Sequence, residues 1–398
     1  MSGKSSSALL WVIAIVIVVL GIVYFSKPAP KAPEEQAQPT AQATIPEGPI
    51  VLGAMDPLTG DGAVYGIPLQ NATMLAVNEI NAAGGIDGHQ LQLVWEDSKC
   101  NPQDGSSAAQ KLIEVDKIKF IVSGDCSGAA LAAAALTEPA GVMLFSAAAS
   151  SPDLSTAGDL VFRSYPSDAM AGDVIASYSI KKLGTKKVSV ISEQTDYAQG
   201  LRKSFTAAAA EYGAEVVADE TFNTGDTDFR TQVLKISTAA PDVLYIVPQT
   251  PAAGIQILKQ LKENGFKGQL LVSDVMLGSD TIAKNKTLYA DIYSPTPELD
   301  STREVTKRFL DNFQAAYGHA PEYPASMAAA YDQIYMLKDA FPVSGVDPLK
   351  VRDWLYAVKN WPGALGDTSF DQNGDPIIGY HIKHFVNGET IDLGAYTP

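Results

Sequence analysis

The chain has 398 residues, 46% of them hydrophobic, two cysteines, and a formal net charge of −16 from 45 acidic and 29 basic side chains. That length holds two or three domains with real cores, and an acidic balance without any basic block excludes a nucleic-acid or anionic-lipid binder. Lys4, Lys27 and Lys31 cancel Glu34, Glu35 and Glu47, so the whole −16 belongs to the part after residue 47.

Residues 1–7 are a short N-terminal tail. Residues 8–25 (ALLWVIAIVIVVLGIVYF) are an uninterrupted apolar run, which at ~1.5 Å per residue spans roughly 27 Å, about the hydrocarbon thickness of a bilayer. The run exceeds the usual h-region of a signal peptide, and no small-x-small pattern follows it before Ser26-Lys27-Pro28. It reads as an uncleaved transmembrane helix. No cysteine precedes Cys100, so a lipidated cysteine is not the tether. Residues 26–47 are a Pro/Ala/Gln-rich linker whose one large apolar residue is Ile45; such a segment cannot offset the entropy of ordering by burial. The expected location is the cell membrane, with the globular part on the extracytoplasmic side.

From residue 50 onward, short apolar β-rich runs alternate with helix-period segments. Strands are expected at residues 50–54, 91–95, 120–122, 142–145, 188–191, 215–218, 243–247 and 270–272. Helices are expected over 67–82, ending on Gly84-Gly85, and over 198–212, ending at Gly213. Beyond about residue 300 the pattern is mainly helical, over 302–317, 325–340 and 348–359, before a strand-like stretch at 377–385. This alternation predicts parallel sheets covered by helices on both faces. Around eight βα units exceed one doubly wound sheet, and the pattern restarts after a break at 163–167. The expected fold is therefore α/β, with two doubly wound parallel-sheet lobes and a cleft at the carboxyl ends of their strands.

Cys100 and Cys126 admit two readings. As a disulfide they close a loop of about 27 residues, worth roughly 3.5 kcal/mol in chain entropy, and an exported body favours that state. As a free thiol, Cys126 in Gly124-Asp125-Cys126-Ser127-Gly128 has the look of a hydrolase nucleophile elbow, with His319, His381 or His384 downstream. His381 and His384, three apart on an expected strand, face opposite ways and share no metal. Residues 371–375 (DQNGD) resemble a calcium loop, but Ile382 stands where the bidentate acid belongs, so a turn is expected. The sequence has no phosphate-binding glycine motif, and no cofactor or metal is expected. Asn71 and Asn285 begin glycosylation sequons. Loops 55–65, 124–128 and 147–152 follow expected strands and are rich in glycine or small residues. They suit an anionic group such as a carboxylate.

The ordered series Gly53-Ala54-Met55, Pro57-Leu58-Thr59-Gly60, Tyr65-Gly66, Asn78-Glu79-Ile80-Asn81-Ala82-Ala83-Gly84-Gly85-Ile86, Asp97-x-x-Cys100-x-Pro102, Cys126-Ser127 and Ser150-Ser151-Pro152-Asp153-Leu154 resembles the branched-chain amino-acid-binding proteins of ABC importers. These are leucine-binding-protein-like, type I periplasmic binding proteins. Asp196-Tyr197-Ala198-Gln199-Gly200-Leu201 and Asn373-Gly374-Asp375 fit the same pattern, which runs from about residue 48 to the end. The resemblance implies lobes joined by a three-crossing hinge, near residues 167, 295 and 383. The first lobe is then 48–167 with 296–382, and the second 168–295 with 383–398. It also implies a Cys100–Cys126 disulfide. A ligand α-carboxylate would be held by Ser127, Ala148 and Ser150, and an α-ammonium by Asp274, which stands in place of the usual Glu. Tyr65 and Tyr197 match the aromatic positions lining the cleft, and Thr250 is a further candidate ligand contact. The family's aromatic near Gln249-Thr250 is absent, and another near Ser326-Met327 is replaced.

The function so implied is that of an extracytoplasmic substrate-binding protein, not an enzyme. It captures a small amino acid, branched-chain-type or related, and delivers it to ABC permease subunits as a monomer anchored in the membrane by its N-terminal helix. Two alternatives carry different expectations: a ligand-sensing module for a separate receptor, and a Cys126-dependent hydrolase.

Overall fold

The structure, a computed structural model, describes Ile45, residues 47–123 and residues 126–398. The chain begins with β1 (Ile50–Asp56), α1 (Ala63–Ala82), β2 (Leu91–Asp97), α2 (Pro102–Glu114), β3 (Phe120–Ser123), α3 (Ser127–Thr137), β4 (Met143–Ser146) and β5 (Val161–Arg163). These strands pair in parallel in the order β2-β1-β3-β4-β5.

Past Arg163 the chain enters a second sheet through α4 (Asp168–Lys181), β6 (Lys187–Glu193), α5 (Asp196–Glu211), β7 (Glu215–Phe222), α6 (Arg230–Ala239), β8 (Val243–Val247), α7 (Pro251–Asn264), β9 (Gln269–Val272), α8 (Ser279–Lys284) and β10 (Asp291–Pro297). It then returns to the first lobe with α9 (Glu304–Tyr317), α10 (Pro324–Ser344), α11 (Pro348–Ala357) and the small ribbon β11 (Trp361–Pro362) and β12 (Asp367–Thr368). Finally β13 (Tyr380–Val386) and β14 (Glu389–Tyr396) complete the second sheet, whose order is β14-β13-β10-β9-β8-β6-β7, antiparallel only at its β10-β13-β14 edge.

The central strands are buried along nearly their whole length, as strands covered on both faces must be. Helix starts follow side-chain chemistry: Asn101, Ser167 and Thr195 accept the backbone N–H of Asp104, Ala169 and Ala198. Left-handed Gly265 and Gly318 end α7 and α9. In both sheets the order reverses beside the lobe's first strand, β2-β1-β3 and β7-β6-β8. Those switch points open crevices at the carboxyl ends of the strands, where ligands of such folds sit.

Each of the eight expected β-runs lies within an observed strand or overlaps one, the strand-like stretch 377–385 overlaps β13, and among the described residues five further strands, β5, β10, β11, β12 and β14, go beyond the expectation. The expected N-terminal transmembrane helix is corrected. No helix among the described residues is long and apolar enough to cross a membrane. The two of sufficient length, α1 and α10, carry charged groups such as Glu79, Asp332 and Lys338 and pack onto the first lobe's core. The run 8–25 lies outside the described residues. The fold is two α/β lobes, with no membrane-spanning helix among the described residues, and the membrane attachment and cell-membrane location expected from that helix are withdrawn.

Candidate functional site

The first-lobe wall is the loop after β4. Ser146 Oγ accepts the N–H of Ala149 at 3.1 Å, and Ser127 Oγ accepts the N–H of Ser151 at 3.1 Å. Ser127, in the first turn of α3, is buried there. Just ahead of it Cys126 is bonded to Cys100, which ties the start of α3 to the start of α2. Behind the loop, the Arg163 guanidinium is fully buried. It donates to Asp375 from Nε at 2.5 Å and Nη2 at 2.7 Å, to Ser155 Oγ at 2.6 Å, and from Nη1 to the Ser151 carbonyl at 2.8 Å. The turn 371–375, with left-handed Gly374, thus serves as a bracket for the loop.

Ser150 faces the hinge. Its Oγ donates to Asp168 Oδ2 at 2.8 Å, while its carbonyl accepts the Asp168 N–H at 2.8 Å. With its proton directed to Asp168, the Ser150 oxygen keeps its lone pairs for an incoming donor. Burial pushes the Asp168 carboxyl up to about 8; the neighbouring Asp274 carboxylate adds to this, and the Ser150 bond and Arg163 oppose it.

The second-lobe wall comes from the ends of β6 and β9. Thr195 caps α5 and so sets Tyr197 in its first turn. Tyr197 Oη donates to Asp274 Oδ1 at 3.1 Å, and Tyr165 Oη, from the link between β5 and α4, donates to Asp274 Oδ2 at 2.5 Å. Withdrawal from water raises the Asp274 carboxyl above its ordinary range, against the two phenol bonds. Burial holds both phenols well above 10, with Asp274 adding to the effect.

Between these walls lies a cavity of ≈ 100 Å³. Tyr65, Ala148, Ser150, Tyr197 and Asp274 all line it. Ser127 is not among its lining residues, and its hydroxyl holds the loop instead. Thr250, the residue before α7, lines a larger neighbouring cavity, while Gln249 borders both. Sequence reasoning missed Tyr165, Asp168 and Tyr323. Tyr323 packs edge-on against Tyr65 with ring centroids 5.1 Å apart. It stands three residues before Ser326, where the resemblance has an aromatic replaced. Tyr165 and Tyr323 each precede a proline at the entrance to a helix. That dipeptide, which fixes an extended backbone before a turn into helix, is the signal that could have found them.

The disulfide removes the hydrolase alternative, because both cysteines are bonded and Cys126 has no thiol to act as nucleophile.

A two-lobed α/β fold with a cleft lined from both lobes, walled by an acid on one side and small-residue loop amides on the other, defines a ligand-binding protein of the periplasmic type. The family profile described as periplasmic binding protein matches residues 49–382, and the chain belongs to that family. A Leu/Ile/Val-binding protein homolog of Brucella abortus is 28% identical over 346 residues, covering 85% of this chain and 91% of the relative. The branched-chain amino acid transporter substrate-binding protein of Streptococcus pneumoniae, solved in complex with isoleucine, is 30% identical, with a TM-score of 0.80 over 88% of this chain and 100% of that one. A leucine-binding protein of Thermotoga maritima, 24% identical, shares the fold with a TM-score of 0.81 over 88% of this chain and 99% of that one. The chain is an extracytoplasmic substrate-binding protein of the ABC-importer type and not an enzyme.

Proposed function

We propose that the protein captures a small L-amino acid, or a close analogue with the same head group, between its lobes and delivers it to a membrane permease. The lobes are taken as 48–167 with 296–382 and 168–295 with 383–398. The partition of the strands into two sheets supports this to within a few residues. The observation that carries the reading is the Asp274 carboxylate, oriented by two phenols into a cavity whose other wall is the amide-rich loop of Ala148 and Ser150. An ammonium placed at Asp274 forms charge-assisted hydrogen bonds, each contributing about 1.5–3 kcal/mol. A carboxylate placed at the loop meets backbone N–H groups beside the N-terminus of α3, which favours an anion. Ser127 supports the site by holding the loop, and Thr250 lines the larger neighbouring cavity. The names of the relatives, which speak of leucine, isoleucine and valine, support the same chemical class.

The test is a thermal-shift panel of amino acids followed by calorimetry on Asp274→Ala. A bound ligand raises the unfolding temperature by mass action. Loss of the acid is expected to weaken binding by at least about tenfold. If no amino acid shifts the wild type, or if Asp274→Ala binds as well as wild type, the reading is wrong.

A further inference from the structure

An aspartate at 274 is one methylene shorter than the glutamate the family resemblance implies, so its carboxylate lies nearer its own backbone. What meets it there is Tyr165, which comes not from the second lobe but from the hinge link, two residues past Arg163. Its backbone is held extended by Pro166, and its ring is buried in the first lobe's core. From that base the hydroxyl crosses to Asp274 Oδ2 at 2.5 Å, opposite the Tyr197 bond to Oδ1. A carboxylate has about four acceptor positions. One phenol on each oxygen fixes the plane of the group, and backbone N–H groups at Asp274 and Val275 hold it further. The ring also forms part of the cavity wall, and the Tyr65–Tyr323 pair is another. At ≈ 100 Å³ the space is well below the ~300–1,000 Å³ of ordinary small-molecule sites.

We infer that Tyr165 is a positioning and specificity-determining residue: it aims the short Asp274 carboxylate at the ligand's ammonium and limits the site to compact ligands, alanine- or serine-sized rather than leucine-sized. This rests on the amino-acid reading above. The titratable groups near Asp274 are Tyr165 and Tyr197 by contact, and Asp168, Tyr245, Tyr323 and Tyr380 through space. The neighbouring cation Arg163 is engaged by Asp375. The Tyr165 bond favours the ionised form of Asp274, so its removal moves the loss of binding at acid pH to a higher pH.

The experiment is calorimetry of alanine, serine and leucine, from pH 5 to 8, on wild type, Tyr165→Phe and Tyr165→Ala. The phenylalanine variant keeps the ring and hence the packing. Expected are tighter binding of alanine or serine than of leucine by wild type, roughly tenfold weaker binding by Tyr165→Phe with its acid limb displaced upward, and a leucine-to-alanine affinity ratio raised in Tyr165→Ala. A Tyr165→Phe variant with wild-type affinity and wild-type pH profile overturns the positioning role, even if Tyr165→Ala does not fold. A wild type that prefers leucine overturns the size limit. Binding of no amino acid by the wild type is a separate result, which overturns the amino-acid reading and this inference with it.

Discussion

Removing the Asp375 carboxylate tests whether the site is held from behind. Arg163 has 2% of its side chain exposed and Asp375 13%, and the pair is bidentate. In Asp375→Ala the guanidinium keeps Ser155 and the Ser151 carbonyl but loses its counter-charge inside the protein. Breaking a buried pair in this way costs about 3–5 kcal/mol, mainly because one charge is left uncompensated. Replacing both partners with apolar residues, Arg163→Met with Asp375→Leu, removes that penalty and is expected to cost far less. Tryptophan fluorescence in urea is the suitable assay: Trp95, Trp354 and Trp361, the tryptophans among the described residues, all belong to the first lobe. With a slope near 3 kcal/mol per molar urea, the midpoint of Asp375→Ala should fall by about 1–1.7 M. Ligand affinity should fall as well, because the loop carrying Ala148 and Ser150 loses its bracket. A midpoint within about 0.3 M of wild type, or a double variant as unstable as the single one, would refute the bracket.

Three further outcomes follow from the same geometry. Asp168 keeps its proton in the fold up to about 8, whereas in the unfolded chain it loses it near pH 3.9. Its contribution to stability is therefore fully present below about pH 4 and is lost as the pH rises toward 8. Unfolding followed across that window should show a shallower decline in Asp168→Asn than in wild type, and parallel curves would count against the assignment. An added Cβ at Gly200 would lie 2.8 Å from the Pro152 ring, and one at Gly278 would lie 2.5 Å from Tyr323 Oη. Gly200→Ala and Gly278→Ala should hold the lobes apart, weakening ligand binding by about tenfold or more, in Gly200→Ala without loss of stability, since alanine suits the α5 interior better than glycine by about 1 kcal/mol; unchanged affinity in both excludes this seam. Cys100→Ala with Cys126→Ala should cost roughly 3.5 kcal/mol in the tryptophan-monitored transition, and reductant should lower the wild type equally while leaving the double variant unmoved.

The lobes were legible because their central strands are buried on both faces, and so read as short apolar runs separated by helix-period segments. The strands that escaped lack that signal. β5 has three residues, too few for any periodicity. β10 contains Pro295 and Pro297, which argue against a sheet position, yet it pairs in parallel only at Ile292 and Tyr293 and meets its other neighbour antiparallel. β14 is an edge strand exposed along most of its length. Of the expected site residues, Tyr65, Ala148, Ser150, Tyr197 and Asp274 share one cavity, whereas Ser127 and Thr250, hydroxyls at helix starts, lie outside its lining. One holds a loop, and the other stands at the start of α7 beside a different cavity. Asp168 and Tyr165 were not legible, because their roles depend on partners far away in the chain. Tyr165 meets Asp274 across 109 residues.

Those two missed residues lie on one short segment, and in the amino-acid reading proposed above their placement would couple binding to closure. Between Arg163 and Asp168 the chain first brackets the Ser150 loop through Arg163. Ser164 Oγ then donates to the Ala329 carbonyl of α10, Tyr165 reaches Asp274, and Asp168 takes the Ser150 hydroxyl. A rotation of the lobes about this crossing moves the residues nearest it least. Ser150, Tyr165 and Asp168 would therefore stay together, while Asp274 after β9 and Tyr197 in the first turn of α5, both of the second lobe, would swing toward or away from them. An ammonium that bridges Ser150 Oγ and Asp274 is held fully only when the lobes have met, so its binding energy is available mainly to the closed arrangement. A ligand lacking that group would have no differential interaction through which to favour closure. On that reading, recognition of the cationic head and closure of the cleft would be one event, set by a link that the sequence marks only as the place where one run of βα units stops and the next begins.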